Sequence, residues 1–210
     1  MTEILFIRHG QTRGNVAGIW QGWADPPLNT AGQAQARAIA RRLDSERDQI
    51  KALYTSPLRR ALETAKTLGN RLALSPLVLD GFKEIHFGEL EGTTMTKMRN
   101  QFPELYVQWQ DKSDMTFRWP GGEQRGDFFA RAGEACDIVR RRHAGDKVVI
   151  VAHGGTIRAC LAHLMPEQLG EWWDYPLDNA GLTRVQMSQE SARLLTLNDT
   201  SHLSPPRSGY

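Results

Sequence analysis

The sequence predicts a three-layer α/β/α fold, in which helices cover both faces of a mostly parallel central sheet. Two short, largely apolar runs predict buried strands, at Ile4–Ile7 and at Lys147–Ala152. Between strand-like runs lie segments whose apolar residues recur at helical spacing. This alternation is typical of βαβ units, whose crossover connections leave successive strands parallel.

The first half of the chain supplies the first of these units. The strand Ile4–Ile7 leads into a loop over residues 8–29 that is rich in Gly, Asn, Asp and Pro. The elements expected after this loop are a helix from about Ala31 to Leu43 that Thr30 caps, a strand at Lys51–Tyr54, a helix opened by Ser56-Pro57 that ends near Leu72, and a strand at Leu77–Leu79.

Residues 85–122 interrupt the alternation, and they predict a short, mainly helical insertion over one end of the sheet, with a break at Pro103 inside Met95–Gln110. The elements expected after it are a helix at Phe128–Arg142, the strand Lys147–Ala152, a helix at Ile157–Leu164 and a hairpin of Leu182–Met187 and Arg193–Leu197. We expect residues 1–210 to form one domain, with a loose tail over about residues 199–210.

Composition is that of an ordinary globular protein, with 40% hydrophobic and 24% charged residues. The net charge of +2 gives no strong basic field, so no nucleic-acid partner is expected. No apolar run approaches the ~18 residues of a membrane span, and the N-terminus does not resemble a signal peptide. Cys136 and Cys160 lack CxxC spacing and are expected as reduced thiols, which favours a cytoplasmic location.

Polar residues follow several of the predicted strands. Arg8-His9-Gly10 follows the first strand, His153-Gly154-Gly155 follows the strand at Lys147–Ala152, and Glu84 comes after the short third strand. Arg59 lies in the first turn after Ser56-Pro57. Because ligands of such sheets bind outside the carboxyl ends of the strands, we expect these side chains to converge on one rim.

These residue types suit phosphoryl chemistry. Arginine binds a phosphate with two forked donors, and two unit charges about 4 Å apart attract by about 4 kcal/mol at an effective dielectric near 20. Neighbouring arginines also disfavour a protonated histidine, which leaves an imidazole nitrogen free to attack. Glycine amides can approach the same anion, and a carboxylic acid beside it can protonate a leaving oxygen.

Four segments also carry a family resemblance. They are Ile7–Thr12 with Asn15 and Gly22–Leu28, then Thr55–Ala65, then Glu84–Gly92, and then Val151–Gly155. In this order they resemble the histidine phosphatase superfamily, in the branch that contains the cofactor-dependent phosphoglycerate mutases. The match covers about residues 3–165, and the chain is similar to the phosphatase-type members.

The resemblance implies a phosphomonoester hydrolase that needs no metal and no cofactor, and it implies a role for each matching residue. His9 would become the phosphohistidine, and Glu84 would protonate the leaving group and then activate water. The remaining site residues would be Arg8, Arg59 and His153 in the phosphate pocket, with Asn15, Gln21, Gly22 and the Gly154 amide lining the site. The expected partner is a small phosphorylated metabolite, and the oligomeric state stays open, with a homodimer as one option.

Other chemistries are disfavoured. Metal binding by His9, His153 and Glu84 is not expected, because Arg8 would repel a cation and no HxxxH or HxH spacing occurs. Cys136 and Arg142 have the C-x5-R spacing of cysteine phosphatases, but the residues between them lack glycine and predict continuous helix.

Several features leave alternatives open. Trp20 and Trp23 either pack in the core or lid, or wall the substrate site, and His86 is expected to be structural. Glu123 after Gly121-Gly122 is similar to a Gly-Gly-Glu-Ser element of phosphatase members, although Gln124 replaces the serine, and a carboxylate in the first turn of a helix explains Glu123 adequately.

The alternative functions differ in the fate of the leaving group. A mutase would need extra cations in the insertion, whereas Lys97, Arg99, Lys112 and Arg118 are scattered among aromatic residues there. Hydrolysis is therefore favoured, with a phosphoglycerate mutase, an α-ribazole phosphatase and a non-catalytic phosphate-binding protein as alternatives.

Overall fold

The computed structural model describes residues 1–168, 172–188 and 191–203. Within them, six strands form one sheet, and they are β1 (Thr2–Arg8), β2 (Ile50–Thr55), β3 (Leu77–Val78), β4 (Lys147–Ala152), β5 (Leu182–Met187) and β6 (Ala192–Asp199). Their order across the sheet is β3-β2-β4-β1-β5-β6. The first four strands are parallel, and the hairpin β5–β6 joins β1 in antiparallel orientation.

Seven α-helices lie in the same part of the chain. They are α1 (Arg13–Val16), α2 (Thr30–Leu43), α3 (Arg59–Leu72), α4 (Met95–Gln101), α5 (Pro103–Gln110), α6 (Arg125–Arg142) and α7 (Gly154–Leu164). Short 3-10 turns occupy Asp44–Gln49, Asp80–Phe82, Gly88–Leu90, Pro166–Gln168 and Trp172–Asp174. Asn29 rather than Thr30 caps α2, through a hydrogen bond from Gly32 N.

The helices form two layers, one on each face of the sheet. Along β1, Ile4 and Phe6 face one core, which α6 and α7 complete, whereas Leu5 and Ile7 face a second core, which α2 and α3 complete. Because successive side chains of a strand point to opposite faces, a strand buried on both faces is apolar throughout. The predicted three-layer α/β/α fold is confirmed.

Strand register brings three loops together at one edge of the sheet. Arg8 pairs with Ala152 across β1 and β4, and Thr55 pairs with Val151 across β2 and β4. The next residues along the chain, His9, Ser56 and His153, therefore leave the sheet side by side.

The insertion over residues 85–122 covers this edge. Its helices α4 and α5 meet at Pro103, where the sequence predicts a break. Its aromatic side chains pack on one another around Trp119, whose ring centroid lies 5.0 Å from that of Phe87 and 5.3 Å from that of Trp20. A mainly helical insertion with an aromatic interior thus forms one side of any site at this edge.

The last residues described are in contact with the second core. His202 Nε2 lies 3.0 Å from the carbonyl oxygen of Ala180, and Leu203 packs on the core shared by α2 and α3. Residues 204–210 of the expected tail lie outside the described residues. None of the helices in the described ranges is long and apolar enough to cross a membrane.

Candidate active site

A cavity of about 490 Å³ opens at the carboxyl ends of β1 and β4, beneath the insertion. Seven of the residues expected at the site line it, and they are Arg8, His9, Asn15, Gln21, Gly22, Glu84 and Gly154. His153 is fully buried behind His9, with the two ring centroids 5.1 Å apart. Arg59 is not among the lining residues.

The hydrogen bonds of His9 fix the position of its proton. Its Nδ1 lies 2.7 Å from the carbonyl oxygen of Gly10, which can only accept, so Nδ1 carries the proton. Its Nε2 therefore carries a lone pair, and the Nε–H of Arg60 donates to it at 3.3 Å. The amide of Asn179 donates to the backbone oxygen of His9 at 3.0 Å. A neutral ring with its lone pair on Nε2 is the protonation state that nucleophilic attack requires.

Both histidines are held neutral. Burial, followed by the charges of Arg60 and Arg8, keeps the pKa of His9 well below its ordinary value. Burial and the same guanidinium groups lower the pKa of His153, whose Nε2 lies 2.8 Å from Ser56 Oγ. The expected effect of neighbouring arginines is present, but loss of hydration is the larger cause.

The arginine at the start of α3 that reaches the site is Arg60, not Arg59 as expected from the sequence. Arg60 is 1% exposed, and its Nη1 and Nη2 donate to the carbonyl oxygens of Ala24 at 2.8 Å and Gly22 at 2.7 Å. Arg59 points into solvent and pairs with Glu63 at 2.7 Å. Arg60 lies on the buried face of α3 with Ala61, Thr64 and Ala65, and Arg59 lies on its solvent face.

Two further arginines concentrate positive charge around His9. Arg8 Nη1 donates to the carbonyl oxygen of Leu177 at 2.5 Å, while its buried Nε has no hydrogen-bond partner in the described part of the chain. Arg158 lines the cavity one turn into α7 and donates to the carbonyl oxygen of Tyr175. A buried donor without a partner costs about 1–3 kcal/mol, which a bound oxyanion would offset.

The carboxylate of Glu84 is held at the N-terminus of α7. Its oxygens accept from the backbone N–H groups of Gly155 at 3.0 Å and Thr156 at 3.1 Å. A Cβ on Gly155 would lie 2.5 Å from Glu84 Oε1, so glycine is required for this approach. The glycine pair that follows β4 therefore begins α7 and also leaves room for the Glu84 carboxylate at its N-terminus.

The loop that carries Glu84 is fixed from behind by Glu123 and Arg131. Arg131 forms a bidentate ion pair with Glu123 and donates to the backbone oxygen of Glu84 at 2.8 Å. Glu123 also accepts from the backbone N–H of His86 at 2.8 Å. Glu123 precedes α6 and its cap, so it acts through Arg131 and not as the helix first-turn carboxylate that the sequence suggests.

The two tryptophans of the first loop take different positions. Trp20 lines the cavity and stacks on Phe87 with centroids 5.2 Å apart. Trp23 lies 39% exposed, and its Nε1 donates to the backbone oxygen of Glu84 at 2.7 Å. Trp20 is thus a wall of the cavity, and Trp23 holds the loop of the proposed acid.

Nearly the whole sequence, including the residues of this site, matches the model of a known family. The model of the histidine phosphatase superfamily (branch 1) matches residues 4–200. The chain belongs to the histidine phosphatase superfamily.

Individual members of the histidine phosphatase superfamily agree with this. The chain is 33% identical to a metal-independent phosphoserine phosphatase of Arabidopsis thaliana, over 97% of this chain and 84% of the relative. Among solved structures it is similar to a mycobacterial glucosyl-3-phosphoglycerate phosphatase (31% identity, TM-score 0.83, 94% and 99% covered) and to a phosphoserine phosphatase of Entamoeba histolytica (26%, 0.86, 97% and 100%). The prediction of a phosphomonoester hydrolase of this superfamily is confirmed.

Two chemistries that the sequence disfavours are metal binding and cysteine-based phosphatase catalysis. Among the described residues, no group of three or more His, Cys, Asp and Glu side chains is arranged to hold a metal ion. Cys136 and Arg142 belong to one continuous helix, α6, and burial raises the pKa of the Cys136 thiol well above its ordinary value. A buried, protonated thiol within a helix cannot serve as a phosphatase nucleophile.

Four cationic residues of the cavity are not among the site residues expected from the sequence. They are Arg60, Lys112, Arg125 and Arg158. Arg158 has a recognisable signal, because it lies one helical turn after Gly154 and so on the same face of α7. Of the insertion cations noted in the sequence, Lys112 lines the cavity, so the cavity wall is less apolar than expected.

Proposed function

We propose that this histidine phosphatase hydrolyses small phosphomonoesters by transferring the phosphoryl group to Nε2 of His9 and then to water. The observation that carries this proposal is the state of His9, which lines the cavity with its proton on Nδ1 and its Nε2 lone pair beside Arg60. The bond from phosphorus to the leaving oxygen breaks as the bond to Nε2 forms. Water then attacks phosphorus as the bond to Nε2 breaks, so that orthophosphate leaves and His9 is regenerated.

The charged groups around His9 suit the phosphoryl group in both steps. Arg60 uses two of its five N–H groups on Gly22 and Ala24 and directs a third at His9, so two remain for phosphate oxygens. Arg8 offers its unpartnered Nε–H. His153 is buried beside His9 and is proposed to orient the same anion. Such fixed donors stabilise charge without reorganising during the reaction.

Glu84 is proposed as the proton donor to the leaving oxygen and then as the base for water. Its carboxylate lines the cavity. In the described part of the chain, it accepts hydrogen bonds from N–H and O–H groups of Ile85, Gly155 and Thr156. The negative charge of a bound phosphate favours a proton on this carboxyl, and one group can then serve as acid and base in turn.

Three of the other lining residues complete the site in this proposal. Thr12 Oγ1 donates to Gln21 Oε1 at 2.8 Å and caps α1, which fixes Gln21 and Asn15 at the cavity. Gly22 has a φ of +50°, a left-handed conformation that favours glycine and aims its carbonyl at Arg60. These residues act by shaping the loop, and the Gly154 amide adds a donor at the α7 N-terminus.

The test compares an aryl with an alkyl phosphate. We expect wild type to hydrolyse para-nitrophenyl phosphate and glycerol 3-phosphate, in the presence of a chelator, with acid-labile phosphate on the protein during turnover. His9→Ala should abolish both activities and the labelling. Glu84→Gln should lower kcat/KM for the alkyl ester by about 10²–10³, and for the aryl ester far less, because kcat/KM reports the first transfer and a good leaving group needs no proton there.

Two results would contradict the proposal. Labelling that persists in His9→Ala would place the phosphoryl group elsewhere, and an equal effect of Glu84→Gln on both esters would remove Glu84 as the acid. Conversion of 3- to 2-phosphoglycerate after addition of a bisphosphoglycerate, faster than phosphate release, would establish the mutase alternative.

The buried thiols bear on where the enzyme works. Cys136 and Cys160 are both free and buried. Unpaired cysteines are typical of reducing compartments, which supports the proposal of a cytoplasmic enzyme.

A further inference from the structure

A second pair of cations lies in the cavity of His9, on the side that the insertion forms. Lys112 and Arg125 line this side together with Trp109 and Trp173. Neither cation takes part in the steps proposed for the phosphoryl group. The chemistry of these two side chains therefore bears on the part of the substrate that leaves.

Arg125 is occupied by the backbone. Its guanidinium donates to the carbonyl oxygens of Trp109 at 3.0 Å, Asp114 at 2.7 Å and Asp111, and the side chain is 2% exposed. These bonds hold residues 109–114 in one conformation. Arg125 is thus a structural clamp whose charge raises the positive potential on this side of the cavity.

Lys112 forms fewer hydrogen bonds than Arg125. Its Nζ donates once, to the carbonyl oxygen of Trp109 at 2.8 Å, and lies 3.0 Å from the centroid of the Trp109 ring and 4.9 Å from that of Trp173. Among the described residues, no aspartate or glutamate forms an ion pair with it. Burial and the charge of Arg125 lower the pKa of Lys112 to about 7. A half-buried cation without a carboxylate is costly, and an anion in the cavity would offset that cost.

The acids of this region are engaged with other groups. Asp174 lines the cavity, and its charge acts on Arg158. The carboxylates of Asp111 and Asp114 accept from Ser113 and Thr116, and their charges act on Arg125. The ammonium of Lys112 therefore keeps two N–H donors for a ligand.

We propose that Lys112 is a specificity-determining residue, which binds a carboxylate on the leaving group of the phosphomonoester whose phosphate lies at His9. The forked donors of Arg125 are used by the backbone, so the ammonium of Lys112 remains, and its single charge matches the single charge of a carboxylate. The tryptophan rings beside Lys112 accept the carbon skeleton of the leaving group. This inference rests on the proposed function.

The experiment uses two matched pairs of substrates. 3-Phosphoglycerate is paired with glycerol 3-phosphate, and 4-carboxyphenyl phosphate with phenyl phosphate, so each pair differs by one carboxylate. The ratio of kcat/KM within each pair is measured for wild type, Lys112→Met and Lys112→Arg. Lys97→Met is the matched control, because Lys97 is an exposed lysine of the same insertion, on α4.

We expect wild type and Lys97→Met to prefer the carboxylate member of each pair. Lys112→Met should lower that preference about 10-fold, the effect of a charged hydrogen bond, and leave the neutral esters within about twofold. Lys112→Arg should restore most of the preference, since the charge returns.

Each contrary result is informative. An unchanged ratio in Lys112→Met, or equal losses on both members of a pair, overturns the role of Lys112. Hydrolysis of the neutral esters would still support the proposed function. Absence of a carboxylate preference in wild type overturns it as well. Failure of wild type on all four esters overturns the proposed function and the role of Lys112 together.

Discussion

Of the two adjacent arginines at the start of α3, substitution of Arg60 should greatly reduce kcat/KM, and substitution of Arg59 should leave it nearly unchanged. Arg60→Met removes a buried guanidinium 3.3 Å from His9 Nε2, whereas Arg59→Met removes an exposed one that pairs with Glu63. Burial lowers the pKa of Arg60 to about 10, so its charge is present at neutral pH. The two variants lose the same side chain one residue apart, which makes Arg59→Met the matched control.

The size of the effect follows from charge and distance. A unit charge about 4 Å from a phosphate charge contributes about 4 kcal/mol at an effective dielectric near 20. Since about 1.4 kcal/mol is a factor of ten in rate, kcat/KM should fall about 10³-fold in Arg60→Met. The exposed ion pair of Arg59 with Glu63 contributes about 0.3–0.5 kcal/mol to stability. Because Arg59 is not among the residues that line the cavity, Arg59→Met should keep kcat/KM within about twofold.

The assay is steady-state hydrolysis of para-nitrophenyl phosphate, with thermal unfolding measured in parallel. Arg60→Met also leaves the buried carbonyl oxygen of Gly22 without the Arg60 donor, at about 1–3 kcal/mol, whereas Ala24 is exposed to water, so rates are compared at a temperature where every variant is folded. A folded Arg60→Met that retains activity within tenfold of wild type, or an Arg59→Met that loses more than Arg60→Met, would refute the reasoning.

Three further substitutions test other parts of the structure. Gly155→Ala should displace the Glu84 carboxylate and reduce kcat for alkyl phosphates about 10-fold or more, with unchanged kcat contradicting the contact at 2.5 Å. Glu91→Gln should raise KM about 2- to 5-fold, because both oxygens of Glu91 accept from the loop that Arg60 contacts, and a KM equal to that of wild type would argue against this role. Hydrogen bonds from Arg184, then Lys147, lower the pKa of Glu46 to about 2 from 4.5, so Glu46→Gln should reduce the free energy of unfolding by about 1–2 kcal/mol at pH 7, after allowance for solvent screening. Because the folded pKa is the lower one, this difference should shrink in acid denaturation as the pH falls from about 4.5 towards 2, and a difference that grows there would contradict it.

The sequence predicts the buried strands well, because burial on both faces makes a strand a continuous run of apolar residues. Lys147–Ala152 has the predicted bounds, and the hairpin and the break at Pro103 are also where the sequence places them. Helix starts were less readable, since α3 begins three residues after Ser56 and α7 begins three residues before Ile157. Competing caps near a helix end differ little in free energy, and packing against the sheet decides between them.

The choice between Arg59 and Arg60 shows what such a shift does to a site. The apolar residues of α3 recur at Ala61, Ala65 and Leu68, and this periodicity already places Arg60 nearer the buried face. A start at Ser56-Pro57 made the arginine of the first turn the natural candidate. One residue is about 100° around a helix, which exchanges a solvent position for one beside His9.

The sequence by itself determined the fold class and the family, and it singled out His9 and Glu84 as the proposed nucleophile and acid, because these residues lie in motifs tied to strand ends. Only the tertiary structure decided which charges surround them. Lys112 and Arg125 lie on the insertion and on α6, and no local pattern relates their positions to His9. Their meeting in one cavity depends on how the insertion packs over the sheet, and such packing is set by contacts between residues far apart in the chain.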